Sequence, residues 1–523
     1  MANSQRPIAN GQQPKASTAS SDNKIKINEI VQGFIFTFFA LYVVMLFVIT
    51  GLTSRKTDKM SYFTGNRKSP WFVVAYGMIG SSLSGVTFMS VPGDVYTTQF
   101  TYLGVVFGYI LGYIVIGLLL LPLYYRLNVT SIYEYLGKRI GNEAHKTGAL
   151  FFFLSRLLGS ALRMYLVIFV LQVFVFDGWN IPIWATAIVM IAIILLYTFR
   201  GGIKTVVWTD MLQTTFLIGA LIITIVVIMR NMGGSFSDIW AQMATVGKDG
   251  TDCRTVFNTD WRNNSYFLKQ VFGGMFITIS MTGLDQDMMQ KNLSCKSLRE
   301  SQRNMFSFTC ILVVVNILFL LLGGMLLVFA QHNGVDVSQF PTDRIYPEIA
   351  FNYLGKVGAL VFVFGLISAG FSSADGTFTA LTTTVCYDLL DIEKRFPTEK
   401  QQINVRRIVH LVISMLFLTV ILIVSQHHND ALIRIIFMVA SYTYGPILGL
   451  FTFGMFTKRE IPQSRRWLVP VIAIGIPVFC YILATHSQQW LFGYKFGYEL
   501  LIVNGLLVFG ALVAASRKAN YEC

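Results

Sequence analysis

Four groups of polar residues are set inside otherwise apolar stretches of this 523-residue chain. The first is Gly80-Ser81-Ser82-Leu83-Ser84-Gly85-Val86-Thr87, between Trp71 and Pro92. Consecutive small and hydroxyl residues lower the cost of leaving helical geometry, and an unwound turn there frees carbonyls for a cation and hydroxyls for a solute. The second is Ala369-Gly370-Phe371-Ser372-Ser373-Ala374-Asp375-Gly376-Thr377. Its carbonyls and the adjacent hydroxyls of Ser372 and Ser373 supply the neutral oxygens that a hard monovalent cation prefers, without a charge that would trap it. The third is Asp210, a carboxylate flanked by Trp208 and Met211 that needs a cation partner at membrane depth. The fourth is the set Arg156, Arg163 and Arg434. Arg163, the most central, can clamp a solute carboxylate or pair with an internal acid such as Asp285 or Asp287. Each group also has a plainer reading. Small residues let helices pack closely, Ser and Thr bond back to carbonyls one turn earlier, and an acid is favoured in the first turn of a helix.

These residues need elements to carry them, and composition says which. The chain is 54% hydrophobic and 13% charged, against about 25% charged in a soluble protein. No water-soluble globule hides that much apolar surface, so an all-α integral membrane protein is expected. A span takes roughly 20 apolar residues. Such runs lie near 30–53, 70–92, 103–125, 146–176, 181–200, 205–230, 266–290, 306–331, 352–388, 406–426, 431–456, 466–486 and 498–516, about thirteen in all. The fourth and ninth are longer than a span requires. A polar or glycine-broken stretch inside such a helix must face protein or a water-filled cavity. The stretches at 80–85 and 369–373 are therefore expected to be interruptions that meet deep in the bilayer.

The net charge of +14 would suggest nucleic acid in a soluble chain, but here its distribution sets orientation. Connections holding Lys56 and Arg67, Arg126 and Lys138, Arg200 and Lys204, Lys291 and Lys296, Lys394 and Arg407, Lys458 and Arg466, and Arg517 and Lys518 alternate with poor ones. The positive-inside bias then puts the N-terminus outside and the C-terminus in the cytoplasm. No nucleic-acid partner is expected; the partners are lipid, a small solute and a cation. The polar residues 1–26 read as a tail and not as a signal peptide. The loop near 231–265 is long enough for a small folded cap. Six cysteines without a CxxC pair imply no disulfide framework. Metal-ligand spacings, a nucleophile elbow and a phosphate loop are absent, so no ATP drive is expected within the chain.

In this frame the chain resembles the sodium:solute symporter family across about residues 30–516. The resemblance is carried by Tyr62-Phe63-Thr64-Gly65-Asn66-Arg67, the run Leu83–Pro92, Thr130-Ser131-Ile132-Tyr133-Glu134-Tyr135-Leu136, Gly201-Gly202-Ile203 with Trp208-Thr209-Asp210, Asp285-Gln286-Asp287-Met288-Met289-Gln290-Lys291, Ser372-Ser373-Ala374-Asp375, and Gly445-Pro446 through Gly454–Arg459. It implies a LeuT-like core of two five-helix inverted repeats, residues 70–230 and 266–456, after a leading helix at 30–53 and before two C-terminal helices at 466–516. The first helix of each repeat would be broken, at 80–87 and within the stretch from Gly273-Gly274 to Gly283. The resemblance implies a sodium site made by backbone oxygens of Gly80, Leu83 and Ala369 with the hydroxyls of Ser372 and Ser373. Asp210 matches an acid tied to a second sodium or to the gate below the first, and Asp375 stands where some members carry further hydroxyls. Ser82, Ser84 and Thr87 match solute-facing hydroxyls of the sialic acid carriers. The Gln and Arg that those carriers use are replaced here by Val106 and Gly159, with Arg163 one turn away.

The expected function is a sodium-coupled secondary active symporter in the cell membrane. It would import a small polar solute such as a sugar, sugar acid, amino acid or other carboxylate by alternating access. Two rivals are an intramembrane transferase, which would need a convergent nucleophile or His–acid pair, and a sensor with a transporter-like core. Seven residues follow the last expected span, so a signalling domain is not expected.

Overall fold

The computed structural model describes residues 18–54, 59–427 and 442–518. Arg434, residues 1–17 and most of the C-terminal tail fall outside them. The leading helix α1 (Thr18–Thr53) begins inside the expected tail, so residues 18–26 are helical. Then come α2 (Trp71–Ser82), α3 (Gly85–Thr98), α4 (Leu103–Val115), α5 (Asn142–Leu171), α6 (Ile183–Phe199) and α7 (Gly201–Met232). The second half holds α8 (Phe267–Thr278), α9 (Gln286–Leu293), α10 (Leu298–His332), α11 (Gly355–Thr384), α12 (Glu399–His427), α13 (Tyr444–Phe456), α14 (Leu468–Trp490) and α15 (Leu500–Ala515). Between α7 and α8, the connecting loop folds around a short helix, Phe236–Gln242, and buries Cys253.

Among the described residues eight helices are long and apolar enough to cross a membrane, or nine if one sharply bent pair is a single span; four shorter apolar helices accompany them. The count of thirteen is not one that length and hydropathy establish, because breaks shorten several of the candidate spans. Side chains of Phe34, Leu52, Leu118, Val189, Ile408 and Ile474 point outward from the bundle, as lipid-facing residues do.

Two breaks organise the interior. At the first, α2 ends at Ser82, Leu83 and Ser84 are extended, and α3 restarts at Gly85. Ser84 caps the new helix by accepting the Thr87 N–H at 3.3 Å, and the last carbonyls of α2 lose their helical partners. At the second, the chain passes a wide turn at Ile279–Gly283, and α9 leaves at 65° to the preceding helix. Asp285 caps α9 by accepting the N–H groups of Asp287 and Met288 at 3.0 and 3.3 Å, a role for which its short carboxylate suits it.

The expected interruption at 369–373 does not occur. Helix α11 runs unbroken from Gly355 to Thr384 and is buried through almost all of its central turns. Its hydroxyls are accommodated within the helix, as where Thr377 Oγ1 donates to Ser373 O at 2.8 Å. The small residues there serve close approach: Gly370 faces Val167 of α5 and Gly365 faces Ala220 of α7. One broken helix thus meets one rigid helix.

Buried charge pins α9 against α5. Arg156 bonds Asp287 through Nη2 and lies 3.5 Å from Asp285 Oδ2 through Nη1, while Tyr444 of α13 donates to Asp285 at 3.1 Å. Arg156, not Arg163, is therefore the internal partner of these acids. It stands seven residues before Arg163 on the same helix, about two turns, at the level where α9 is capped. Removing one member of a buried ion network costs about 3–5 kcal/mol because the charges left behind are uncompensated. Arg156→Met is expected to lower the thermal midpoint of the detergent-solubilised protein by at least about 5 °C. An unchanged midpoint in a nanoscale fluorimetry scan would show that the network contributes nothing.

Candidate functional site

The break after α2 brings together residues far apart in sequence. Ser372 Oγ donates to Asp210 Oδ1 at 2.5 Å, and Ser81 Oγ donates to Asp210 Oδ2 at 3.0 Å. The two hydroxyl oxygens are 3.3 Å from each other. Gly80 is the residue that permits this approach: a Cβ there would sit 2.7 Å from Thr214 Oγ1 and 3.0 Å from Ser372 Oγ. Its N–H donates to that same Thr214 hydroxyl at 3.0 Å. Leu83 follows in extended geometry with its N–H on Ile79 O. Ser373 and Ala369 occupy the same buried stretch of α11 as Ser372, so the five residues expected to hold sodium fall on two facing parts of the fold, the end of α2 with the break that follows it and α11. The Ala369 carbonyl belongs to an intact helix and has one lone pair left beyond the ladder.

The partner that Asp210 requires is Lys291. Its Nζ lies 2.9 Å from Asp210 Oδ2, donates to Ser81 Oγ at 2.5 Å, and lies 3.3 Å from Asp287 Oδ1. Lys291 and Asp210 are each 1% exposed. The sequence reading counted Lys291 among cytoplasmic loop charges; the structure corrects this. The α9 helix folds inward after the bend and carries the lysine into the bundle. A signal was present, since Asp287 and Lys291 have the i,i+4 spacing of a helical ion pair. Gly376 makes the room: a Cβ at that position would lie 2.8 Å from Lys291 Nζ.

Asp375 is elsewhere on α11. Its Oδ2 accepts Tyr197 OH at 2.9 Å and Thr209 Oγ1 at 3.3 Å, and its Oδ1 is buried without a hydrogen-bond partner. Asp210 and Asp375 thus sit in separate hydrogen-bond sets along the α7–α11 interface.

Beside the break lies a cavity of about 740 Å³, within the range of about 300–1,000 Å³ that small-molecule sites occupy. Ser82, Ser84, Thr87 and Arg163 all line it, as do Ser81 and Leu83. The cation set and the cavity therefore share a wall. Residues that sequence reasoning did not single out complete it, notably Tyr102, Tyr109, Tyr113, Thr278 and Tyr442. Tyr102 and Tyr109 join through their hydroxyls at 2.9 Å. Among the described residues no carboxylate lies within ion-pair reach of Arg163; the nearby acids Asp285 and Asp287 are taken by Arg156.

Comparison with known proteins bears on the family and the fold. The chain is 25% identical over 494 residues to a sodium/sialic acid symporter of Proteus mirabilis, covering 91% of this chain and 93% of that one. It is 24% identical to a sodium/sialic acid symporter of Aliivibrio fischeri, covering 87% and 88%. The solved structure of a substrate-bound, outward-open sodium-coupled sialic acid symporter superposes with a TM-score of 0.76 at 22% identity, covering 94% of this chain and 99% of that one. The family model for the sodium:solute symporter family matches residues 62–463. The fold is accordingly the LeuT-like one expected of such symporters, and the chain belongs to the sodium:solute symporter family.

Proposed function

We propose that this multi-pass membrane protein couples sodium entry to the import of a small anionic solute, a sugar acid or another carboxylate. The observation that carries this reading is Arg163, a guanidinium in the cavity wall whose neighbouring acids are already paired to Arg156. A cation held at membrane depth without a protein counter-charge is costly. A bound carboxylate would relieve that cost with a two-pronged, charge-assisted contact. The hydroxyls of Ser82, Ser84 and Thr87 and the tyrosine pair Tyr102–Tyr109 would read the polar remainder of the solute. Sialic acid, the solute of the two bacterial relatives, is a carboxylate of fitting size.

Sodium would be held by the carbonyl oxygens of Gly80, Leu83 and Ala369 with the hydroxyls of Ser372 and Ser373, and Asp210 would stabilise it from one side. An ion there would tie the end of α2 to α11 and fix the cavity wall that Ser81 and Leu83 share with it. Ion and solute then favour the same conformer, which is the reciprocal coupling that symport requires. A membrane potential of 100 mV adds about 2.3 kcal/mol per charge moved. We place the protein in the cell membrane with its N-terminus outside and C-terminus in the cytoplasm, on the loop-charge pattern that remains once Lys291 is removed from it. We read it as a carrier and not as an enzyme, because the family it belongs to is one of symporters.

Two variants test this. In proteoliposomes with an inward sodium gradient, Arg163→Gln is expected to cut uptake of labelled sialic acid or of whichever carboxylate wild type takes up by at least tenfold. Undiminished uptake would remove Arg163 from the solute site. The pair Ser372→Ala with Ser373→Ala is expected to raise the half-saturating sodium concentration tenfold or more. An unaltered sodium dependence would place the ion elsewhere.

A further inference from the structure

Lys291 has a place in the bundle that the transport cycle described above does not use. Its ammonium is a monovalent cation among oxygens: Ser81 Oγ at 2.5 Å, Asp210 Oδ2 at 2.9 Å and Asp287 Oδ1 at 3.3 Å. Two of these groups, Ser81 and Asp210, are also the immediate neighbours of Ser372 Oγ. An ion seated on Ser372 would therefore lie beside a fixed positive charge and draw on the same carboxylate. Like charges that close repel strongly in a weakly screened interior, and both cations would draw on Asp210, because Asp287, the other acid on Lys291, is shared with Arg156. The lysine is also mounted on the jointed side of the arrangement. It rides on α9, the short second half of the broken span, whereas Ser372 belongs to the unbroken α11.

We propose that the Lys291 ammonium is a built-in cation that competes with sodium for the oxygens around Asp210, so that sodium binds only as Lys291 withdraws. This rests on the reading of Ser372 and Ser373 as sodium ligands. In the conformer described here the lysine holds α9 to α2 through Ser81 and to α7 through Asp210. Exchange of the tethered cation for a free one would release α9 from both contacts and leave it pinned by Arg156–Asp287 and by Gln290, which donates to Phe63 O and Thr383 Oγ1 at 2.5 and 2.9 Å. The exchange conserves charge at Asp210. It therefore sets sodium affinity by the difference between two cations and not by the full attraction of a bare carboxylate.

The test is equilibrium binding of radioactive sodium to the detergent-solubilised full chain, with sodium-dependent thermal stabilisation as a second readout. Lys291→Gln is expected to lower the half-saturating sodium concentration at least tenfold. Adding Ser372→Ala and Ser373→Ala to it should reverse that gain. If Lys291→Gln does not fold, Lys291→Gln with Asp287→Asn removes one charge of each sign and keeps the balance of the cluster; the same gain is expected. An unchanged or raised sodium requirement, with the serine pair still mattering, would overturn the competition and leave the sodium site standing. Sodium binding by the Lys291 variant but not by wild type would uphold the competition and sink sodium coupling in the native protein. Absence of binding by both, or a serine pair without effect, would overturn both readings.

Discussion

The interior of this protein is governed by the need to neutralise buried charge. Asp210, Asp285 and Asp287 are buried together, and two cations, Lys291 and Arg156, are shared among the three of them. In such surroundings an unmatched charge costs more than most packing contacts supply. The helices that carry these five residues, α5, α7 and α9, are therefore held in relation to one another by electrostatics as much as by shape. The bend before α9 exists in a form that serves this: it turns Asp285 into a cap and delivers Asp287 and Lys291 to the inside of the bundle.

A division of labour between helices follows. Helix α11 is continuous and buried, and its serines stand on a rigid rod. The α2–α3 and α8–α9 pairs are broken, and their free ends approach that rod from two sides. A change in what occupies the space near Asp210 is thus felt by two jointed elements and resisted by one stiff element, which is a geometry suited to rocking one part of the bundle against another.

Much of this was legible in the residues. The run from Gly80 to Thr87 announced a break because small and hydroxyl residues crowd a depth where a span should be apolar, and Ser84 fulfils the capping role that ends the gap. Ser372 and Asp210 were both singled out, and they touch. The same reasoning failed at 369–373, because small residues lower the cost of unwinding and also the cost of close packing, and only tertiary context decides between them. It failed at Lys291 for a related reason. A lysine next to a polar segment looks like a loop charge until the chain's 65° bend is known. The aromatic wall formed by Tyr102, Tyr109 and Tyr113 gave no warning either, since tyrosines near a span end are as readily interfacial anchors.

Ser81 has a single hydroxyl proton and two claimants on its oxygen. It donates a hydrogen bond to Asp210, accepts one from Lys291, and forms part of the cavity lining. A guest molecule that draws this hydroxyl toward itself must loosen the grip of the acid on the serine. On the proposed reading of the cavity as the solute site and of Ser372 as a sodium ligand, cargo and ion would be in conversation through one oxygen atom, and a methyl in its place would leave both binding places present but deaf to each other.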